Sequence, residues 1–154
     1  MNVLDVYATG RTVRYHTDPG LLRQDVAAHS WGVMCVLYWL FKESGSALSS
    51  RVLCAALFHD AGEVSVGDTP APAKWKNSAL ADAVQTAEHE HMADLGLCVQ
   101  PLDADEKRVL GFADLAELCL HQLRELELGN SRAKSMLALS LPHLKARAAS
   151  GLGA

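Results

Sequence analysis

The side chains most able to do chemistry are histidines and aspartates that stand in apolar surroundings. His59 and Asp60 are adjacent at the end of an apolar segment, just before a turn that contains glycine. His29 lies in the most apolar segment of the chain, and Asp114 lies in a second apolar stretch. A buried carboxylate is costly unless it is paired or binds a metal. Each residue alone is most simply a helix cap or a hydrogen-bonded core residue, but together they indicate one buried divalent-metal site.

A further carboxylate stands close to this group in the sequence. Glu63 follows His59-Asp60 by one helical turn and precedes a segment rich in glycine and proline. A carboxylate beside a bound metal can take up or deliver a proton, so Glu63 is a candidate acid/base residue. Two histidine nitrogens and two carboxylates suit Zn²⁺, Mn²⁺, Co²⁺ or Fe²⁺. We therefore predict one divalent transition metal as cofactor, with Zn, Co or Mn foremost.

Helices are the elements that must position these residues. Sustained two-residue alternation and hairpin turn signals are nearly absent, and the glycines and prolines of residues 62–72 force a loop. Asp103 and Glu106 have the spacing of a capping box, and Pro142 predicts a kink or break in the last helix. These signals predict helices over 2–9, 26–43, 51–60, 78–95, 103–128 and 131–147. The expected fold is all-α, one domain of about six to seven helices over residues 1–150, with a flexible tail over residues 151–154.

The overall composition limits the classes of partner. The chain has 154 residues, a net charge of −4 and no run of lysine and arginine, so polymeric nucleic acid is not an expected partner. Residues 31–41 form the longest apolar stretch, which is too short to span a bilayer, and residues 1–10 lack the pattern of a signal peptide. We therefore expect a cytoplasmic protein, in the host cytoplasm if viral, without a membrane partner. Excess apolar helix surface in residues 31–41 and 115–128 predicts a homo-oligomer.

Several other residues have simpler interpretations. The cysteines show no metal-binding spacing and are expected to be reduced and buried: Cys35, Cys54, Cys98 and Cys119. Segment 26–43 is apolar on most sides, which predicts a central buried helix whose aromatic residues lie in the core: Trp31, Trp39 and Phe41. The Glu-His-Glu-His run at 88–91 is expected to be a mostly solvated helix face, with Glu88 turned inward.

Five short segments follow one another in an order that is specific to a known family. They are Arg14-Tyr15, Ala28-His29-Ser30, His59-Asp60-Ala-Gly-Glu63, Gly67-Asp68-Thr-Pro-Ala-Pro-Ala-Lys74-Trp75 and Ala113-Asp114. In this order the chain resembles the HD superfamily of metal-dependent phosphohydrolases and, within it, the YfbR-type 5'-deoxynucleotidases. The resemblance implies an HD helical bundle in which His29, His59, Asp60 and Asp114 bind the metal. Ala28 and Tyr15 depart from the family, which usually has glutamate and often has tryptophan there, and the chain is also shorter.

The resemblance also implies which residues hold a phosphorylated substrate. Arg14 and Lys74 are assigned to the phosphates, because guanidinium and ammonium groups pair with phosphate oxygens. Tyr15 is expected to stack against the sugar or base and to exclude a 2'-hydroxyl, with Thr17 nearby at the base. Asp68 is expected to accept the 3'-hydroxyl or to position water, the simpler alternative being a loop cap. A further Mg²⁺ or Co²⁺ ion on the phosphates stays open.

Three functions remain open at this point. A compact HD chain with this proline-rich loop is similar to phage dATP triphosphohydrolases of the DatZ kind. The first expectation is therefore attack at the α-phosphorus of dATP, which gives deoxyadenosine and triphosphate. The alternative is a 5'-deoxynucleotidase that releases phosphate from deoxynucleoside monophosphates. The third is a non-catalytic HD module that senses a ligand or binds a partner, which the complete ligand set and Glu63 disfavour.

Overall fold

A computed structural model describes residues 2–18, 20–97 and 100–151, and the fold in these residues is all-α, as predicted. Eight helical segments and one short strand pair follow one another along this part of the chain. In chain order they are α1 (Val3–Thr9), β1 (Val13–Arg14), β2 (Gln24–Asp25), α2 (Val26–Ser44), α3 (Ser50–Phe58), α4 (Glu63–Val66), α5 (Ala71–Lys76), α6 (Ser78–Asp94), α7 (Ala104–Glu127) and α8 (Ala133–Ala149). Apart from Gly151, the predicted tail lies outside the described residues.

The ends of the helices follow the local signals in the sequence. Asp103 and Glu106 form the predicted capping box at the start of α7, each side chain accepting a backbone N–H of the other residue. Asn2 makes an equivalent box with Asp5 at the start of α1. Gly45 ends α2 with a φ of 71°, a backbone conformation that glycine adopts without steric cost. Capping chemistry is local in sequence, and helix boundaries were therefore predictable to within about two residues.

Three predictions about local structure were wrong. The loop expected over 62–72 contains α4 and the start of α5, because a single helical turn leaves too little periodicity for the sequence to reveal it. Residues 11–25, for which the sequence predicts neither helix nor strand, contain β1 and β2, an antiparallel ladder that pairs Arg14 with Gln24. Pro142 lies inside α8 and does not break it, since packing against α7 stabilises the helix despite the missing backbone donor. The alternative, a kink at Pro142, stays a prediction.

The centre of the fold is α7 and not α2. One cluster of buried side chains joins α7 to α2 and α3, and a second joins it to α8 and to the segment around Tyr15. Helix α2 is buried along one face only, at Val26, His29, Ser30, Val33 and Leu37. The prediction of a helix buried on most sides was wrong because α2 packs against neighbours on a single side, which places only residues three and four apart in contact.

The outer face of α2 carries exposed aromatic side chains. Trp31 is 67% exposed and Trp39 is 58% exposed, so both were wrongly assigned to the core, whereas Phe41 packs against the α2–α3–α7 cluster. Cys35 and Cys54 are exposed and only Cys119 is buried as expected, while Cys98 lies outside the described residues. The homo-oligomer stays a prediction. None of the helices described is long and apolar enough to cross a membrane.

Helices α7 and α8 lie antiparallel, joined by residues 128–132. Near one end, Gly111 of α7 faces Arg147 of α8, so that a Cβ at position 111 would collide with the guanidinium group. At the other end, Leu126 of α7 packs into the same cluster as Ala133 and Met136 of α8. The groove between the two helices therefore has two distinct ends, one charged and one apolar.

Because Gly62 has no side chain, the turn after α3 lies in close contact with the backbone of α6. A Cβ at this position would lie 2.6 Å from both the Cβ and the carbonyl oxygen of Glu88, although the φ of Gly62 is an ordinary −66°. We expect Gly62→Ala to lower the free energy of unfolding by about 1–3 kcal/mol, because the turn and α6 must move apart. Urea denaturation measures this change. Ala83→Ser, which adds one atom at an exposed position of α6, is the control, and equal stability of the two variants would contradict the prediction.

Candidate metal centre and substrate pocket

Two histidine nitrogens meet at one point between α2 and the end of α3. The Nε2 atoms of His29 and His59 are 3.2 Å apart. His29 Nδ1 donates to Glu117 Oε2 at 2.5 Å, and His59 Nδ1 donates to the Ala56 carbonyl oxygen at 2.8 Å. With the protons fixed on Nδ1, both Nε2 lone pairs point at the same space. Two lone pairs that face each other require a cation between them, so these residues fit a bound metal.

Two carboxylates complete a set of four donors around this point. Asp114 Oδ1 lies 3.1 Å from His29 Nε2 and 3.9 Å from His59 Nε2. Asp60 Oδ2 lies 3.5 Å from His29 Nε2, and Asp60 Oδ1 lies 3.4 Å from His59 Nε2. Tetrahedral ligands about 2.1 Å from a metal are about 3.4 Å from one another, so the observed spacing matches a first coordination shell. The structure thus brings His29, His59 and Asp114 close enough to share one ion, with the fourth predicted ligand, Asp60, beside the two histidines.

The charges around His29 favour a cation at this point. Burial alone lowers the pKa of His29, but hydrogen bonds to the Asp114 and Glu117 carboxylates outweigh burial and raise it to about 9. Burial raises the pKa of Asp114, yet the hydrogen bond from His29 and the charge of His59 leave it below its usual range. The two carboxylates therefore favour a positive charge here, whether proton or metal ion.

Glu117 is a candidate functional residue that the sequence did not predict. It lies one turn after Asp114 on α7, so one helix supplies both a candidate metal ligand and the group that orients His29. Gln24 Nε2 donates to Glu117 Oε1 at 2.7 Å, and Gly32 provides space because a Cβ there would lie 2.6 Å from Glu117 Cγ. The signal was present: Glu117 is a carboxylate in the same apolar stretch as Asp114, and the cost of burying it could have identified it.

The short strand pair brings Arg14 into the centre. Arg14 lies opposite Gln24 in the ladder; its guanidinium makes a close ion pair with Asp60 and lies 3.9 Å from Glu63 Oε1. Burial would lower the pKa of Arg14, but the Asp60 and Glu63 carboxylates raise it above its usual value, so the side chain stays charged. Arg14, predicted to bind phosphate, therefore also neutralises a candidate metal ligand.

Glu63 is almost completely buried beside this ion pair. Its side chain is 2% exposed, and Oε2 has no hydrogen-bond partner among the described residues. Burial and the charge of Asp60 raise the pKa of Glu63 to about 8. A carboxyl group that titrates near neutral pH can both accept and donate a proton, which is the property expected of an acid/base residue.

A cavity of about 690 Å³ opens from this centre. Every residue predicted to be catalytic or to bind substrate contributes to its lining: Arg14, Tyr15, Thr17, Glu63, Asp68 and Lys74. The opposite wall consists of α7 and α8, and the sequence analysis assigned none of its residues to the substrate: Leu115, Leu118, Gln122, Met136, Ser140, His143 and Arg147. These residues are far from the motifs along the chain, and only the antiparallel packing of α7 and α8 brings them to the site. The run 88–91 does not line the cavity, although Glu88 is turned partly inward as expected.

Tyr15 is held in an unusual backbone conformation at the entrance to the centre. Its φ is 59°, in the left-handed region that residues other than glycine seldom adopt. The Tyr15 backbone N–H donates to Asp68 Oδ2 at 3.2 Å, and its ring stacks on His121 with centroids 4.9 Å apart. The contact observed for Asp68 is thus a positioning contact, and its predicted catalytic role stays a prediction.

The comparisons with known proteins agree with this geometry. Residues 13–101 match the family model described as 5'-deoxynucleotidase YfbR-like. The chain belongs to the YfbR-like family. It is therefore an HD-type hydrolase of a metal-dependent nucleotide phosphohydrolase family, as the five motif segments predicted. The match ends before α7, so it includes His29, His59 and Asp60 but neither Asp114 nor the wall formed by α7 and α8.

Curated relatives and one solved structure extend the comparison. The chain is 29% identical over 143 residues to the 5'-deoxynucleotidase YfbR of Shigella boydii, covering 79% of this chain and 72% of that protein. It is 31% identical over 147 residues to the 5'-deoxynucleotidase of Cronobacter sakazakii, covering 77% and 70%. A conserved hypothetical protein from Pyrococcus furiosus matches with a TM-score of 0.58 and 19% identity, over 91% of this chain and 92% of that one, which shows a shared fold. The narrower resemblance to phage dATP triphosphohydrolases stays a prediction.

The geometry predicts a metal centre that depends on Glu117 as well as on the ligands. We expect the purified protein to contain one divalent transition metal per chain, Asp114→Ala to lose it, and Glu117→Gln to bind it roughly 10- to 100-fold more weakly, since the charge that orients His29 is lost. Elemental analysis and competition with a chelating dye measure these changes. Glu127→Gln, an exposed change on the same helix, is the control. Wild-type metal affinity in Glu117→Gln would show that Glu117 does not act on the centre.

Proposed function

We propose that this chain is a metal-dependent 5'-deoxynucleotidase, which hydrolyses 2'-deoxynucleoside 5'-monophosphates to the nucleoside and inorganic phosphate. The observation that carries the proposal is a group of three residues that could share one ion, His29, His59 and Asp114. Asp60, Glu63 and Arg14 lie beside this group and line a cavity of about 690 Å³. That volume is in the range of cavities that enclose a small ligand. The names of the relatives support the substrate class. This was the alternative expectation from the sequence, and it has more support than dATP triphosphohydrolysis.

The residues of the chain divide the work of hydrolysis. A divalent metal held by His29, His59, Asp60 and Asp114 would polarise the phosphate and acidify a water molecule. Glu63 accepts the proton as the water oxygen bonds to phosphorus. The bond from phosphorus to the 5'-oxygen then breaks, and the departing oxygen takes up the proton that Glu63 had accepted. Lys74 and Arg14 balance the charge of the phosphate oxygens, because both cations border the cavity.

Tyr15 supports a preference for deoxyribose. Its ring is fixed between His121 and the backbone contact to Asp68, and its buried hydroxyl has no partner among the described residues. A bulky side chain fixed at the wall next to the metal ligands leaves less room for a 2'-hydroxyl than for hydrogen. Thr17 lies further along the same segment, on the cavity, where the base or sugar would pass.

The dATP triphosphohydrolase is the second candidate. Lys74 and Arg147 both line the cavity, and neither has an ion-pair partner in the part of the chain that the structure describes. Arg147 lies against Gly111, one turn before Asp114, so its charge is next to the proposed reaction centre. Cations in this position suit the longer phosphate tail of a triphosphate, on which a further Mg²⁺ or Co²⁺ would also bind.

A product screen distinguishes these substrates. We expect phosphate release from deoxynucleoside monophosphates, at kcat/KM values about 10-fold or more above those of the ribonucleotides, because a steric clash at one hydroxyl costs at least about 1.4 kcal/mol. Chromatography of the products from dATP identifies triphosphate if the second candidate is correct. Equal rates for deoxy and ribo substrates would remove the argument from Tyr15. No hydrolysis of any nucleotide by the metal-loaded protein would overturn the proposed function.

Glu63 is expected to act in turnover and not in metal binding. Glu63→Gln keeps the shape of the side chain but cannot accept a proton, so we expect kcat to fall by about 100-fold or more while the metal content is unchanged. Steady-state kinetics and elemental analysis on the same samples test this. Glu43→Gln, at an exposed position at the end of α2, is the matched control. A wild-type kcat in Glu63→Gln would show that Glu63 is only structural.

A further inference from the structure

Gln122 is a buried polar side chain whose amide is unpaired in the part of the chain that the structure describes. It is 0% exposed, and neither Nε2 nor Oε1 has a hydrogen-bond partner among the described residues. The large majority of buried side-chain polar atoms in folded proteins have a partner, because an unpaired amide loses its bonds to water without replacement. Gln122 is also part of the wall of the cavity. Because water does not reach the amide, only a ligand that packs directly against this wall can take the place of the missing partners.

The position of Gln122 on α7 sets its distance from the reaction centre. Asp114, Leu118 and Gln122 are spaced by four residues, so they lie on one face of the helix, and all three line the cavity. Eight residues of α-helix separate Asp114 from Gln122, which is about 12 Å along the axis. A nucleotide whose 5'-phosphate lies at the metal ligands extends over a comparable length to the far edge of its base. The Gln122 amide therefore lies where a base edge would end.

The two ends of the groove between α7 and α8 suit the two ends of a nucleotide. Toward the Gln122 end, the cavity is lined by Leu118 and Met136, which offer apolar surface to a flat base. The opposite end carries Arg147, beside Gly111. Charged phosphates therefore fit the Arg147 end, and the base fits the Gln122 end.

We propose that the side-chain amide of Gln122 hydrogen-bonds the edge of the substrate's nucleobase. This inference rests on the proposed function, since it needs the phosphate to lie at the metal ligands. A primary amide offers a donor and an acceptor side by side, and its complement is a base edge with the same pair in the opposite order. The amino group of adenine and the ring nitrogen beside it form such an edge, and glutamine pairs with it in two parallel hydrogen bonds.

The test compares dAMP with the 5'-monophosphate of purine 2'-deoxyriboside, which has the same shape but lacks the amino group. For the wild-type protein we expect kcat/KM to be about 10- to 100-fold higher for dAMP, the range expected for one paired base edge. Gln122→Met keeps the length of the side chain and removes both polar groups, so this preference should fall to near unity. Gln100→Met, the same change at an exposed position, should keep the preference.

Thermal unfolding separates base recognition from a structural role. Because Gln122 makes no hydrogen bond within the described residues, Gln122→Met should unfold at the same or a higher temperature than the wild type. A large drop in Tm, or equal losses for dAMP and its analogue, would overturn the inference, because both indicate a structural residue. Equal wild-type rates for dAMP and its analogue would also overturn it while leaving the deoxynucleotidase intact. If no nucleotide is hydrolysed at all, the proposed function fails, and calorimetric binding of the same two nucleotides to both proteins then decides the role of Gln122.

Discussion

The imidazole of His29 is held on both sides by carboxylates of α7, and the arrangement of the site depends on this contact. Glu117 accepts from Nδ1 at 2.5 Å, and Asp114 lies 3.1 Å from Nε2. The two carboxylates are one turn apart, so their spacing is set by the helix and not by loops. The crossing of α2 and α7 is fixed by this polar contact together with the apolar cluster that contains Val33 and Leu37. The end of α3 and strand β1 then complete the centre by adding His59, Asp60 and Arg14.

The sequence revealed the centre because its residues are expensive in their surroundings. Burying polar groups such as His29 and Asp114 in apolar helices costs free energy unless they are paired. A shared metal site would compensate this cost for all of them. Glu117 meets the same criterion but was missed, because the motif order drew attention only to Asp114. Boundaries such as the Asp103 capping box were also predictable, since a cap depends on residues three apart in the chain.

Burial along α2 and the composition of the cavity wall could not be predicted, because both depend on which surfaces meet in three dimensions. The apolar residues of α2 look alike in sequence, and only the position of α7 decides that Val33 is buried while Trp31 is exposed. For the same reason Cys35 and Cys54 were wrongly placed in the core. Gln122 and Arg147 carry no motif, and they face the cavity only because α8 folds back along α7. Long-range packing of this kind leaves no periodic signal in a single sequence.

The antiparallel pairing of α7 and α8 places the reacting groups and the wall that shapes the cavity on different parts of the chain. The candidate ligands are on α2, on the turn after α3 and on the first half of α7, and Glu63 begins α4. The second half of α7 and all of α8 form the opposite wall. Changes in α8 can therefore alter the shape of that wall without moving a single donor atom of the centre. Because of this division, the sequence of α8 can change independently of the reacting groups. Related chains can diverge in what they accept while the reacting groups stay the same, and an engineered α8 could redirect the protein to a different ligand without rebuilding its chemistry.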